Sequence, residues 1–503
     1  MTTKTTAVPT EKRPLNDFEA VIGLEVHAQL KTRSKMFCGC AASYMDAEPN
    51  SRVCPVCLGM PGVLPVINRR AVEFTIMTGL ALNCTIARHT KFDRKNYPYP
   101  DLMKGYQISQ YDMPLCSGGW LSVESEDGVR KARLNRVHLE EDTAKLAHVD
   151  GDDGDRWSRV DVNRSGTPLM EIVGEPDLRS AEEARRYLVR LRTILQYLGV
   201  STGNMEEGSF RCDANISIRP RGSTDLNAKV EVKNMNSFRA VYRALRFEFE
   251  RQVTAVSEGL PVHQETRGWV EGRGVTVSQR SKEYAHDYRY FPEPDLPAMT
   301  IDPAWVDEIR GRLPELPDTR IERLVSDFGI PAKDAETLVT HKAMADFFEE
   351  SLACSTNGKN GDVGKRARAI GVWLLGDFSQ RLNAAGQDIG QARVTPKALS
   401  RLIDLVDDNT LSGKMAKDVF QEMYDTGKGP SAIVKEKGLS QITDTGEISA
   451  VVDEVLTQNS QAVADFSSGK APALTFLVGQ VMKATRGKAN PAKVNQLLRE
   501  RMS

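Results

Sequence analysis

The sequence predicts an α+β protein, with a β-rich N-terminal part built on antiparallel sheet and an all-helical remainder. Three observations carry this. Up to about residue 297, short period-two runs are broken by Gly, Pro, Asn and Asp, the pattern of strands joined by turns. Two longer stretches, 181–198 and 237–258, interrupt them with apolar spacing of three and four and read as helices. After DLPAMTIDPAW the texture becomes helical throughout.

Taken in order, the lead over 1–17 has scattered charges and two prolines but no apolar core, and is expected to be disordered rather than an export signal. AVIGLEVHAQL (20–30) is the clearest strand. Ile22, Leu24, Val26, Ala28 and Leu30 share one face, and Gly23, Glu25, His27 and Gln29 the other. CDANISI (212–218) and KVEVKN (229–234) alternate in the same way. Beyond 297, PELPDTRIERLVSDFG (314–329) and AKDAETLVTHKAMADFFEESL (332–352) are helices with Pro and Gly at their ends. A loop, STNGKNGDVGK (355–365), and a helix over 366–384 follow. VTP then starts another helix, and three to five short ones are expected after 406. The expected domains are 18–297, a helical domain 298–405 and a small all-α tail 406–503.

The length, 503 residues and 55.7 kDa, suits two to four domains. With 40% hydrophobic and 27% charged residues, wholesale disorder, collagen and coiled coil are excluded. No apolar run approaches the roughly 20 residues of a membrane-spanning helix, so no membrane partner is expected. Without an export signal the expected compartment is the reducing cytoplasm, where clustered thiols favour a metal over disulfides. Lys+Arg 67 against Asp+Glu 68 leaves a net charge of -1. A nucleic acid would therefore be held by a local basic patch.

Cys38-x-Cys40 and Cys54-x-x-Cys57 are two thiol pairs separated by 13 residues. Four such sulfurs fill a zinc tetrahedron and predict a closed, structural Zn²⁺ site. Cys84, Cys116, Cys212 and Cys354 are isolated and read as core. Glu25 and His27 project from the polar face of a strand whose other face is apolar, a pair suited to a hard cation or a phosphate-bound Mg²⁺. The same pattern also accommodates a solvated strand face. Further carboxylates come from VHLEED (137–142), MEEGSF (205–210) and VEVKN (230–234). DGDDGD (150–155) lacks the glycine and glutamate of an EF-hand loop and reads as an acidic turn.

KFDRKNYPYPD (91–101) mixes Lys91, Arg94 and Lys95 with Tyr97 and Tyr99, which suits phosphate and base or ribose stacking, or ordinary loop packing. Residues 471–503 carry Lys483, Arg486, Lys488, Lys493, Arg499 and Arg501 against the single acid Glu500: a phosphate-backbone contact or a solvated helical face. There is no P-loop signature to hold ATP, and neither a G-x-S-x-G elbow nor a Gly/Ser-rich amidase stretch.

Taken together, VIGLEVHAQL (21–30), PGVLPVIN (61–68), KFDRKNYPYPD (91–101), QISQYD (107–112), HLEED (138–142), VDVNRSGTPLMEI (160–172), MEEGSFRCDANISIRP (205–220), EVKNMNSF (231–238), DYRYFPEPDLP (287–297) and FLVGQVMKATRGKANP (476–491) resemble one family. It is that of the B subunits of bacterial tRNA-dependent amidotransferases, the GatCAB heterotrimers acting on Asp-tRNA(Asn) and Glu-tRNA(Gln). The resemblance runs from about Phe18 to the end. It implies a cradle of glutamine synthetase/guanido kinase type, a helical domain and a tail reaching toward tRNA. It implies ATP-dependent phosphorylation of the side-chain carboxylate of the misacylated residue, then displacement by ammonia from the glutaminase A subunit, with a C subunit as third partner. Motif by motif, it implies Glu25, His27, Glu141 and Glu231 as the Mg²⁺ set, Glu141 being preferred to Glu140 by motif position. It further implies Arg94, Lys95 and Arg289 for ATP or the acceptor end, Lys483, Arg486 and Lys488 for tRNA, and Cys38, Cys40, Cys54 and Cys57 for structural zinc. The acidic DGDDGD looks like a local insertion.

Overall fold

The computed structural model describes residues 15–150, 156–280, 288–354, 362–439, 445–467, 471–485, 489 and 491–502. Most of the lead, of DGDDGD and of the 355–365 loop lies outside the described residues; Leu15–Asp17 form one turn of 3-10 helix. The chain divides into two compact units, Met1–Pro317 and Asp318–Ser503.

The strands that position the site are β1 (Phe18–Gln29), β2 (Asp93–Asn96), β3 (Tyr106–Ser109), β4 (Gly128–Glu141), β5 (Pro168–Gly174), β6 (Phe210–Pro220), β7 (Val230–Lys233), β8 (Glu265–Val270) and β9 (Val275–Arg280). Among the described residues, ten strands make one mixed sheet whose main path runs β9–β8–β7–β6–β1–β5–β4. Every pairing along that path is antiparallel except β7–β8. Short strands at Cys116–Ser117 and Thr85–Ile86 extend it past β4, and Trp120–Ser125 also pairs with β4. A smaller sheet joins β2, β3 and Phe291–Pro292.

Strict alternation makes the main sheet two-faced. Ile22, Leu24, Val26 and Ala28 of β1, Met170 and Ile172 of β5, Val137 and Leu139 of β4 and Ala214 and Ile216 of β6 are buried together in one core. Helices complete that core, because a sheet face this apolar has to be covered. Helix α1 (Arg69–Ala81) is capped by Asn68, α2 (Ala181–Tyr197) by Ser180 and α3 (Phe238–Ser257) by Ser237; each cap side chain accepts backbone N–H groups of the first turn. The sequence signalled α2 and α3 but not α1. Helix α1 is buried continuously from Ala71 to Gly79, so it has no polar stripe to give it a period.

Helix α4 (Pro303–Gly311) packs on α1, and Ile301 and Ile309 are buried in the same core. Residues 298–317, read from the sequence as the start of the helical domain, are thus part of the first unit.

The second unit is helical throughout its described residues. The stretch expected as one helix over 332–352 is two, Ala332–Thr340 and Lys342–Ala353, broken at the extended His341. The one expected over 366–384 runs from Val363 to Ala385 and is kinked at Gly376. Phe420 packs on Trp373 and Phe378, which ties the helix Gly413–Thr426 to the helices before 405. The boundary read at 405 therefore falls inside a packed group. A second core, from Ile448 to Leu498, holds the last four helices. Past 406 there are six helices among the described residues, against three to five expected. Cys116 and Cys212 are core as expected, whereas Cys84 is half-buried and Cys354 exposed.

Ile172 is fully buried at the centre of the apolar face. Ile172→Ala is expected to destabilise the first unit by about 3 kcal/mol, read as a lowered urea midpoint at unchanged slope.

Candidate functional site

The polar face of the same strands gathers the chemistry. Residues directly opposite in a sheet share a face, and here Arg211 faces His27, His27 faces Glu171, and Glu171 faces His138, a row across β6, β1, β5 and β4. One step along lies Asp213 opposite Glu25, and one step the other way lies Glu140 opposite Leu169. These groups floor a cleft of about 600 Å³. Lys95 and Tyr97 enter it at the end of β2, with Tyr288 and Tyr290 beside them.

His27 is the hub. Its Nε2 lies 3.6 Å from both Glu140 and Glu171 and 3.9 Å from Glu25. His138 Nε2 lies 3.3 Å from Glu171. Ligating atoms of Glu25, His27 and Glu171 fall within 4.8 Å of one another, as do those of His138, Glu140 and Glu171. Two imidazoles among three carboxylates, with the buried His138 Nδ1 lacking a hydrogen-bond partner among the described residues, form a donor set that fits a divalent cation.

The electrostatics agree. Burial disfavours charge on His27, yet the hydrogen bond and charge of Glu171, with Glu140 and Glu25, raise it to about 9. Burial, then the neighbouring Glu171, pushes Glu25 up. Glu171 is held well below the usual carboxylate range against its own burial, by His138 and His27. Burial likewise opposes charge on Lys95, but Glu140, Tyr290 and Glu171 raise its pKa, so it stays a cation.

The structure places three of the expected residues outside the cleft. Glu141 has the other parity from Glu140 and leaves the cleft; it lies 2.7 Å from Lys104 Nζ and accepts the Ile108 N–H at 3.0 Å. It lines a separate cavity of about 220 Å³ beside Cys38 and Cys57. Glu140 takes its place over His27, because Val137 and Leu139 claim the apolar parity. Arg94 alternates with Lys95 and points away from the cleft. It makes a bidentate pair with the buried Glu293, 2.7 Å on each arm, and lies over the Tyr106 ring. Arg289 is exposed in a left-handed conformation with φ 46°, and its flanking Tyr288 and Tyr290 line the cleft in its stead.

Glu231 does line the cleft. It accepts the Thr266 hydroxyl at 2.9 Å and lies 3.6 Å from Lys233, outside the two ligand groups around His27. Sequence reasoning missed Glu171, His138 and Arg211. Glu171 was legible, standing between the apolar Met170 and Ile172 in PLMEI.

The four cysteines assemble as their spacing implies, with all four sulfurs within 4.8 Å of one another. The hydrogen bond from Cys38 lowers the Cys57 thiol, with burial opposing, while Cys38 itself is raised. A compact cage of four sulfurs, one already favouring thiolate, fits a tetrahedral Zn²⁺. The cage backs onto the turn before β5. Ser165 donates to the Cys57 carbonyl, and Gly166 N–H donates to the Asp142 carbonyl at 2.9 Å. Asp142 in turn accepts from Gln29 at 2.7 Å and Arg211 at 3.0 Å in the cleft. At the other end of the chain, Lys483 is exposed on the helix Ala471–Ala484, whereas Arg486 and Lys488 lie outside the described residues.

A cation ligated by His27 has to displace its proton, so divalent affinity should rise about tenfold per pH unit up to about 9 and then level. Calorimetry in buffers of different ionisation enthalpy should count close to one proton released at pH 7.5. With one of the four sulfurs gone, Cys54→Ser is expected to retain less metal than wild type and to melt several degrees lower, read by metal analysis and thermal unfolding.

Residues 20–307 match the family described as the GatB/GatE catalytic domain, and residues 355–502 match the GatB domain. The aspartyl/glutamyl-tRNA(Asn/Gln) amidotransferase B subunit of Moorella thermoacetica is 55% identical over 486 residues, covering 97% of this chain and all of that protein. The B subunits of Dehalococcoides mccartyi strain CBDB1 and Carboxydothermus hydrogenoformans are 54% and 51% identical, again over 97% of this chain and 99% and 100% of theirs. The chain belongs to the family of aspartyl/glutamyl-tRNA(Asn/Gln) amidotransferase B subunits.

Proposed function

We propose that the cleft over the Arg211–His27–Glu171–His138 row is where a misacylated Asp-tRNA(Asn) or Glu-tRNA(Gln) is activated by ATP and amidated. The observation that carries this reading is the convergence of two histidines and three carboxylates from separate strands on one polar sheet face, with the half-buried Lys95 lining the same cleft.

A side-chain carboxylate is a poor electrophile. Its oxygen attacks the γ-phosphate of ATP, the bond from that phosphorus to the ADP oxygen breaks, and an acyl phosphate forms. Ammonia then attacks the acyl carbon, phosphate departs with the C–O electron pair, the nitrogen gives up one proton to phosphate or solvent, and the amide remains. Phosphoryl transfer of this kind is accelerated by positioning and by charge neutralisation.

Glu25, His27 and Glu171, with His138 and Glu140 adjoining, are the residues that would hold Mg²⁺. When bound, the ion neutralises phosphate charge and aligns its oxygens. Lys95 and Arg211 supply cations in the same cleft. The tyrosines of the cleft offer flat faces for a base: Tyr111 and Tyr290 are stacked at 4.2 Å, and Tyr97 and Tyr288 meet edge to face. Such stacking suits either adenine of ATP or the terminal adenosine of tRNA. Glu231 with Lys233 and Asp213 lies along the same floor as a second polar cluster.

Ammonia is released from glutamine by the A subunit, and the C subunit completes a heterotrimer. The absence of an amidase stretch in this sequence supports that division of labour. Zinc at the four cysteines acts structurally, bracing the turn behind Asp142. Lys483 and the basic residues after it contact the phosphate backbone of tRNA.

In the reconstituted complex, Glu171→Gln should lower tRNA-dependent phosphate release from ATP by at least about a hundredfold with tRNA affinity retained. Unchanged phosphate release would leave this chain as a binding scaffold. Lys483→Ala should weaken tRNA binding uniformly and reduce its salt slope by about 0.7–0.9, with turnover at saturating tRNA unmoved.

A further inference from the structure

A buried lysine stands beside the four-cysteine cage. Lys35 has no exposed surface, and its Nζ donates to the Val162 carbonyl at 3.4 Å. Among the described residues no carboxylate forms an ion pair with it. Its stem runs directly past the cage. A Cβ placed on Gly166 would sit 3.5 Å from Lys35 Cδ and 3.7 Å from Cys57 Cβ, so the two side chains flank the same glycine. The Lys35 N–H also donates to the Cys40 carbonyl at 2.9 Å.

Burying an ammonium with a single long carbonyl contact is strongly unfavourable unless an anion lies close. A zinc ion bound by four thiolates carries a net charge of −2, which has to be compensated where it is desolvated. We propose that Lys35 is the counter-charge of the zinc–thiolate cage, a positioning residue whose ammonium holds the sulfurs as ligands and slows loss of the metal. This rests on the zinc reading above and extends it to a residue outside the ligand set. Each partner explains the other: the dianionic cage needs a fixed cation, and the lysine needs an anion. Because the ammonium is anchored on Val162, in the turn that carries Ser165 and Gly166, it also links the cage to the backbone behind the cleft.

The test compares wild type, Lys35→Met, Lys35→Gln and Lys35→Arg in the full-length chain. Zinc content is measured first, and then the rate of zinc transfer to a chromophoric chelator between pH 5 and 8. Wild type should hold one zinc per chain. Lys35→Met and Lys35→Gln should transfer it about tenfold faster or more, with the acid midpoint for release moved to higher pH. Lys35→Arg, which keeps the charge, should stay near wild type. Equal rates in wild type and the neutral variants overturn the proposal, as does an arginine variant as fast as methionine, since the effect would then be packing. Should Lys35→Met fail to fold, the glutamine and arginine pair decides. A wild-type chain without zinc sinks the zinc reading itself, and the role of Lys35 with it; zinc at full occupancy with unaltered release sinks only the latter.

Discussion

One constraint governs this molecule: the side chains of neighbouring strands in register must share a face. The first unit places apolar residues at one parity of β1, β4, β5 and β6 and ionisable residues at the other. The apolar face is sealed by helices and provides the stability. The polar face then brings together like charges that would otherwise repel. Glu25, Glu140 and Glu171 share a small volume only because His27, His138, Lys95 and Arg211 offset them, and because the backbone that carries them is fixed from the far side.

That arrangement puts the ionisable groups of the cleft on strands rather than loops, which fixes their positions. The parts that come from outside the main sheet are the tyrosines and, from β2, Lys95, and these are braced in turn. Arg94 clamps Glu293, tying β2 to the segment that carries Tyr288 and Tyr290. An arginine that looked like a substrate contact thus holds the wall in place. The cysteine cage plays the corresponding part under Asp142.

Much of this was legible in the sequence. The α+β division, the β1 strand with its two faces, α2 and α3, and the four-cysteine cage all follow from period and spacing. Glu25 and His27 were found because their strand is long and alternates without interruption. The differences in placement share one cause. Glu141 was preferred to Glu140 by its place in a motif, although Val137 and Leu139 already fix the apolar parity and put Glu140 on the polar one. Arg94 and Arg289 follow from their places in motifs as well, and neither motif shows that Arg94 pairs with Glu293 or that Arg289 is turned outward. Helix α1 escaped notice because total burial erases periodicity. What no single-strand pattern conveys is which strands are neighbours; Glu171 faces His27 through a pairing of residues far apart in the chain.

The stacked tyrosines carry a consequence of their own. With the Tyr111 and Tyr290 rings nearly parallel at 4.2 Å, no third ring fits between them. Any flat ligand that entered here would have either to lie on an outer face of the pair or to part the two rings. The first leaves the stack intact as a shelf, and the second breaks it, a difference that the near-ultraviolet dichroism of the phenols would register.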